Sequence, residues 1–81
     1  MNINVSIFPI SGVCNTKQEF DIELGEGKLS ELLALLQERF DADFNRGDIM
    51  LLHNGCSIDL NEEATFSQGD KAWFMPHLTG G

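Results

Sequence analysis

The chain has 81 residues, 42% of them hydrophobic, and a net charge of −8 from 13 acidic residues against 5 lysines and arginines. That length holds one core and no second domain, the composition excludes a disordered chain, and no apolar run approaches the roughly 20 residues that span a bilayer. The acidity disfavours nucleic acid and anionic membranes as partners and favours an enzyme with a basic docking surface.

The N-terminus, MNINVSIFPI, has neither the basic segment nor the small-residue cleavage site of a signal peptide, so a cytoplasmic location is expected. Residues 2–8 alternate, with Ile3, Val5 and Ile7 on one face and Asn2, Asn4 and Ser6 on the other, which predicts a strand with one buried side. Pro9 to Asn15 carry the Pro, Ser, Gly and Asn of a turn. From Lys17 to Leu24 the alternation returns, with Phe20, Ile22 and Leu24 inward and Glu19, Asp21 and Glu23 outward, so the two runs predict an antiparallel hairpin.

Gly25-Glu26-Gly27 interrupts the strand pattern, and from Leu29 the period becomes 3.6: Leu29, Leu32, Leu33, Leu36 and Phe40 share one face. A helix of roughly twelve residues, about 18 Å long, follows. Ser30 is a candidate N-cap, although a start at Lys28 or Leu29 suits the apolar face better; Asp41, Asn45 and Gly47 end the helix. Asp48 to His53 predict a strand with Ile49 and Leu51 on one side and Met50 and Leu52 on the other. Asn54-Gly55 is the strongest hairpin signal in the chain, because a type I′ turn needs positive φ at both central residues. Cys56, Ile58 and Leu60 then read as a short returning strand, Asn61 to Gly69 as a polar connection pinned by Phe66, and Lys71 to Met75 as the last strand after a Gln68-Gly69-Asp70 turn.

Strand, strand, helix, strand, short strand, strand is the order of a two-layer α+β domain with the helix across one sheet face. If the last strand lies beside the first, the two run parallel in a mixed sheet of four or five strands, the β-grasp (ubiquitin-like) arrangement. The domain is expected to span residues 1–75, with residues 76–81 as a flexible tail.

Cys14 and Cys56 form at most one disulfide and are expected to be reduced in a chain without a signal peptide. With His53 and His77 they make a Cys2His2 set, but the spacing has no C-x2-C or H-x3-H pair, so no metal site is expected. Neither histidine has a partner acid or nucleophile in a motif and Cys56 has no basic neighbour, so an enzyme is disfavoured.

The chain ends WFMPHLTGG, Trp73 to Gly81. Without Cβ atoms, Gly80-Gly81 fit a channel too narrow for other residues, which suits an enzyme that must reach the terminal carboxyl carbon. Small polar chain ends are also common without any such role. If Ala72 and Phe74 face the core, Trp73 and Met75 face outward beside Met50 or Leu52, an apolar patch of the kind partners share.

LLHNG at Leu51–Gly55, the Gly69-Asp70 turn and the ending FMPHLTGG from Phe74 together resemble the ubiquitin-like sulfur carriers of the MoaD and ThiS types. The molybdopterin synthase small subunit type is the nearer in length. Family tails often have two prolines where this chain has Pro76-His77.

The resemblance implies that the Gly81 carboxylate is adenylated with ATP by a ubiquitin-activating-like adenylyltransferase (MoeB/ThiF type). The adenylate then becomes a thiocarboxylate that donates its sulfur within a molybdopterin synthase large subunit or an equivalent acceptor. On this reading Pro76, His77, Leu78, Thr79 and Gly80 thread the partner's active site, a reach of about 20 Å for the six residues beyond Met75. The domain is then a carrier and binds no cofactor itself. Alternatives that share the fold are a thiamine-pathway carrier, a modifier joined to lysines through Gly81, and an interaction domain with an inert tail.

Overall fold

The structure, a computed structural model, describes residues 1–77. Its elements in chain order are strands β1 (Asn2–Ile7) and β2 (Gln18–Glu23), helix α1 (Leu29–Phe40), and strands β3 (Ile49–His53), β4 (Cys56–Ile58) and β5 (Lys71–Pro76). One five-stranded sheet has the order β2-β1-β5-β3-β4. β1 and β5, the first and last strands, pair in parallel at its centre, and every other pair is antiparallel. With α1 covering one face, this is the β-grasp fold expected from the sequence.

The core lies between that face and the helix. Ile3, Val5 and Ile7 of β1, Ile49 and Leu51 of β3, and Ala72 and Phe74 of β5 are buried against Leu29, Leu32, Leu33 and Leu36 of α1. Strand alternation and helical period thus meet on one apolar layer. Phe44, in the loop after α1, is fully buried and extends a line of aromatic contacts from Phe20 through Phe40 to Phe74, with ring centroids 6.0, 5.8 and 5.4 Å apart.

Lys28, extended at φ −94° and ψ 148°, is the N-cap of α1 and supplies no side-chain hydrogen bond. Ser30 therefore lies inside the first turn. The Glu31 carboxylate organises the entry instead, accepting the backbone N–H groups of Gly25, Glu26 and Gly27 at 2.6, 2.9 and 3.0 Å. These bonds to its charged form hold the Glu31 carboxyl below the usual range. Asp41 closes the helix in the left-handed region.

The β3–β4 hairpin turns on Asn54 at φ 51° and Gly55 at φ 87°, the double positive φ that Asn-Gly requires. Leu60, expected on the returning strand, lies beyond it. The Asp59 side chain accepts the Asn61 N–H and its carbonyl accepts the Glu62 N–H, which turns the chain after Ile58. Phe66 is buried as expected, its N–H donated to the Gly27 carbonyl. No helix among the described residues is long and apolar enough to cross a membrane.

Candidate functional site: the outer sheet face and the tail root

On the face away from α1, β3 and β5 place their outward residues directly opposite one another: Leu52 pairs with Trp73 and Met50 with Met75. All four residues expected in the patch therefore lie on one surface. Trp73 is 40% exposed, whereas Met50, Leu52 and Met75 are half-buried. The structure adds Phe8, just past the end of β1, whose ring meets Trp73 edge-on with centroids 6.0 Å apart and lies beneath the Lys17 ammonium. Phe8 continues the outward set Asn4, Ser6, Phe8, so the alternation itself held the signal.

Glu19, Asp21 and Glu23 form an acidic column on the exposed side of β2, separated from this apolar strip by the outward row Asn2, Asn4 and Ser6 of β1. Ser6, opposite Trp73 in the β1–β5 register, is only 3% exposed although it points outward, so larger neighbours cover it.

β5 carries the chain from this face to the last described residues. Pro76, assigned to the tail from the sequence, is the last residue of the strand and pairs with Ile49. Phe8 donates its N–H to the Phe74 carbonyl, so by alternation the nitrogen of residue 76 also points toward β1. Proline has no hydrogen there, and the Phe8 carbonyl is reached instead by the Cys14 thiol at 3.5 Å. Pro76 thus ends the β1 ladder. On the other side the His77 N–H is donated to the Asp48 carbonyl at 2.7 Å, which holds the tail root one residue further.

Pro76 and His77, expected to thread a partner's active site, are therefore exposed residues fastened to the sheet. Leu78, Thr79, Gly80 and Gly81 lie outside the described residues.

A groove of about 440 Å³ opens beside the root, lined by Arg46, Ser57, Asp59, Asn61 and His77 among others. Among the described residues, no group of three His, Cys, Asp or Glu is placed to hold a metal ion. Cys14 is half-buried, Cys56 is exposed, and both are free thiols.

His53 does have an acid partner that no local motif announces. Its Nε2 lies 2.8 Å from Asp70 Oδ2, and its ring stands 4.3 Å from that of Phe66. Asp70 also accepts the Ser67 N–H, and its pKa falls to about 2, chiefly through the His53 bond, then through Ser67 and Asn54. The pair ties the end of β3 to the turn before β5.

The chain is 34% identical over 74 residues to the molybdopterin synthase sulfur carrier subunit of Anopheles gambiae, which covers 89% of this chain and 79% of that protein. Against the subunit of the same name from Drosophila yakuba it is 32% identical over 83 aligned positions, covering 100% and 92%. A solved complex of subunits 1 and 2 of molybdopterin-converting factor from Helicobacter pylori 26695 contains a chain 30% identical to this one. The two superpose with a TM-score of 0.70 over the whole of both chains. No family model matches. With the β-grasp topology and full-length similarity together, the chain belongs to the family of molybdopterin synthase sulfur carrier subunits.

Proposed function

We propose that this protein carries sulfur as a thiocarboxylate on Gly81 for the synthesis of molybdopterin, the pterin of molybdenum and tungsten cofactors. The observation that supports this most is the layout of β5 in a chain whose relatives are sulfur carrier subunits. A single central strand presents Trp73 and Met75 on the outer face and then leads directly into the tail. Docking and delivery are thereby coupled through one rigid element. The relative from Helicobacter pylori is found in complex with a second subunit, and the corresponding large subunit is the acceptor proposed here.

In this scheme a ubiquitin-activating-like adenylyltransferase (MoeB/ThiF type) binds ATP, and a Gly81 carboxylate oxygen attacks the α-phosphorus with loss of pyrophosphate. The terminal sulfur of a donor persulfide then displaces AMP to give an acyl disulfide. A second thiol of the donor system breaks its S–S bond, leaving a thiocarboxylate on Gly81 and a disulfide on the donor. The domain supplies no general base and binds no cofactor; ATP belongs to the activating enzyme.

The Trp73, Met75, Met50 and Leu52 surface, with Phe8, docks the partner, and the acidic column on β2 selects a partner with a basic rim. Because the sheet holds Pro76 and His77, the four residues from Leu78 to Gly81 can span at most about 13 Å at 3.3 Å per residue. The partner's active site must therefore lie closer to the docking face than a six-residue tail would require. Gly80 and Gly81 pass its narrowest point.

Mass spectrometry of the protein after incubation with the adenylyltransferase, ATP and a sulfur donor tests the reading. Replacement of one terminal oxygen by sulfur, followed by its loss to the large subunit as molybdopterin forms, is the expected result. Loss to a thiazole synthase instead redirects the carrier to thiamine, and Gly-Gly remnants on other proteins' lysines convert the reading to that of a modifier.

A further inference from the structure

The turn Arg46–Ile49 precedes β3 and is closed by the Ile49 N–H on the Arg46 carbonyl at 3.2 Å. Within it, Arg46 grips the Asp48 carboxylate with both edges of its fork, Nε to Oδ1 at 2.9 Å and Nη2 to Oδ2 at 2.5 Å. Its third nitrogen, Nη1, donates to the Ser11 carbonyl at 2.8 Å and so reaches the loop after β1. The Asp48 main-chain carbonyl in the same turn accepts the His77 N–H. One guanidinium therefore joins the β1–β2 loop to the turn before β3, and the main chain of that turn holds the root of the tail.

Ile49, buried in the core and paired with Pro76, anchors the far end of this turn, and between it and Arg46 little else braces the chain. A Cβ placed on Gly47 would meet no atom within 4 Å, and Asp48 is exposed. On the opposite side of the root Pro76 donates nothing to β1. The His77 N–H is thus held from the β3 side alone, through a carbonyl in the turn that the arginine fork spans. Bidentate arginine–carboxylate pairs fix geometry as well as charge, while an exposed pair adds little to global stability. The consequence of the fork is local order.

We propose that Arg46 is a positioning residue for delivery of the C-terminus: by bracing the Arg46–Ile49 turn it sets the direction in which the tail leaves the sheet, and hence how often a docked carrier has its Gly81 carboxylate in place. The proposal rests on the carrier reading above and adds to it a residue outside both the docking face and the tail. Small errors in aim at a reacting group are costly in rate, whereas docking through Trp73 is indifferent to them.

The full-length protein is compared with its Arg46→Ala, Arg46→Lys and Asp48→Asn variants. Two readouts are used: amide hydrogen exchange at His77, and the adenylyltransferase's ATP–pyrophosphate exchange as a function of carrier concentration. Arg46→Ala and Asp48→Asn are expected to speed His77 exchange about tenfold, because the local opening becomes easier while the fold persists. They lower kcat about three- to tenfold and leave KM within about twofold, with Arg46→Lys in between because a lysine cannot form the fork.

Unchanged His77 exchange in both variants overturns the proposal. So does a raised KM with unchanged kcat, which makes Arg46 a docking contact. If the unaltered protein supports no pyrophosphate exchange, the carrier reading fails, and His77 exchange alone then decides whether Arg46 anchors the root.

Discussion

His53 and Asp70 lie 17 residues apart in sequence and join side chains at 2.8 Å, closing the end of the sheet where β3 turns into β4 and the chain enters β5. Around them the Asn54 Oδ1 accepts the Lys71 N–H, and the Asn54 N–H is donated to the Lys71 carbonyl. The Asn-Gly turn is thereby joined to β5.

This pair predicts how stability depends on acid. The Asp70 pKa is about 2 in the folded chain, below the ordinary aspartate value of 3.8, because its carboxylate accepts hydrogen bonds from His53, Ser67 and Asn54. A depressed carboxylate pKa contributes stability that is present above the unfolded value and disappears as pH falls through the folded one. Between about pH 5 and pH 2 the protein therefore loses about 1 kcal/mol from this group once solvent screening is allowed for. Asp70→Asn lowers stability at neutral pH and flattens the profile in that window. Thermal midpoints measured from pH 7 to pH 2 check it, and parallel profiles for the two proteins contradict it.

Trp73→Ala separates docking from folding. Trp73 is 40% exposed and its aromatic contact is with Phe8, so its loss costs at most about 1 kcal/mol of stability. As a central aromatic of the proposed docking face it is expected to contribute about 2 kcal/mol or more in binding, roughly a thirtyfold rise in Kd on its removal. Calorimetric titration against the large subunit, beside a melting curve, reads both. A large fall in stability with unchanged affinity places Trp73 among the core residues instead.

Gly81→Leu tests the narrow-channel requirement. The unfolding curve is expected to superpose on that of the unaltered protein, because every described core contact lies before residue 78. Adenylation is expected to be abolished, since in the proposed function the added side chain would block a passage that accepts only glycine. Pyrophosphate exchange at the unaltered rate removes the constriction from the account.

Phe44→Ala tests the aromatic line behind the site. Phe44 is fully buried, with its ring 5.8 Å from Phe40 and 5.4 Å from Phe74. Truncation of a buried phenylalanine costs about 3–5 kcal/mol, a large part of the stability of a domain this size. Urea unfolding measures it. A loss below about 1 kcal/mol shows that the loop after α1 repacks to fill the space.

Local physics settled much of this protein in its amino-acid order. Alternation at Ile3, Val5 and Ile7 and the 3.6-residue period from Leu29 to Phe40 each state which side is buried, because a strand or helix repeats its faces at short range. Asn54-Gly55 names its own turn through the φ values that it tolerates. Alternation likewise put Trp73 opposite the core-facing Phe74. Tertiary structure alone decided which distant groups meet: Phe8 with Trp73, His53 with Asp70, Arg46 with Ser11, Phe44 with Phe74. The root of the tail is of the same kind. The sequence places Pro76 in the tail, whereas in the fold it ends β5, and it is the Asp48 carbonyl, 29 residues before His77 in the chain, that keeps His77 on the sheet. Periodicity expresses which face a residue occupies, whereas a contact across the sheet depends on strand order and register, which arise only when the elements pack together.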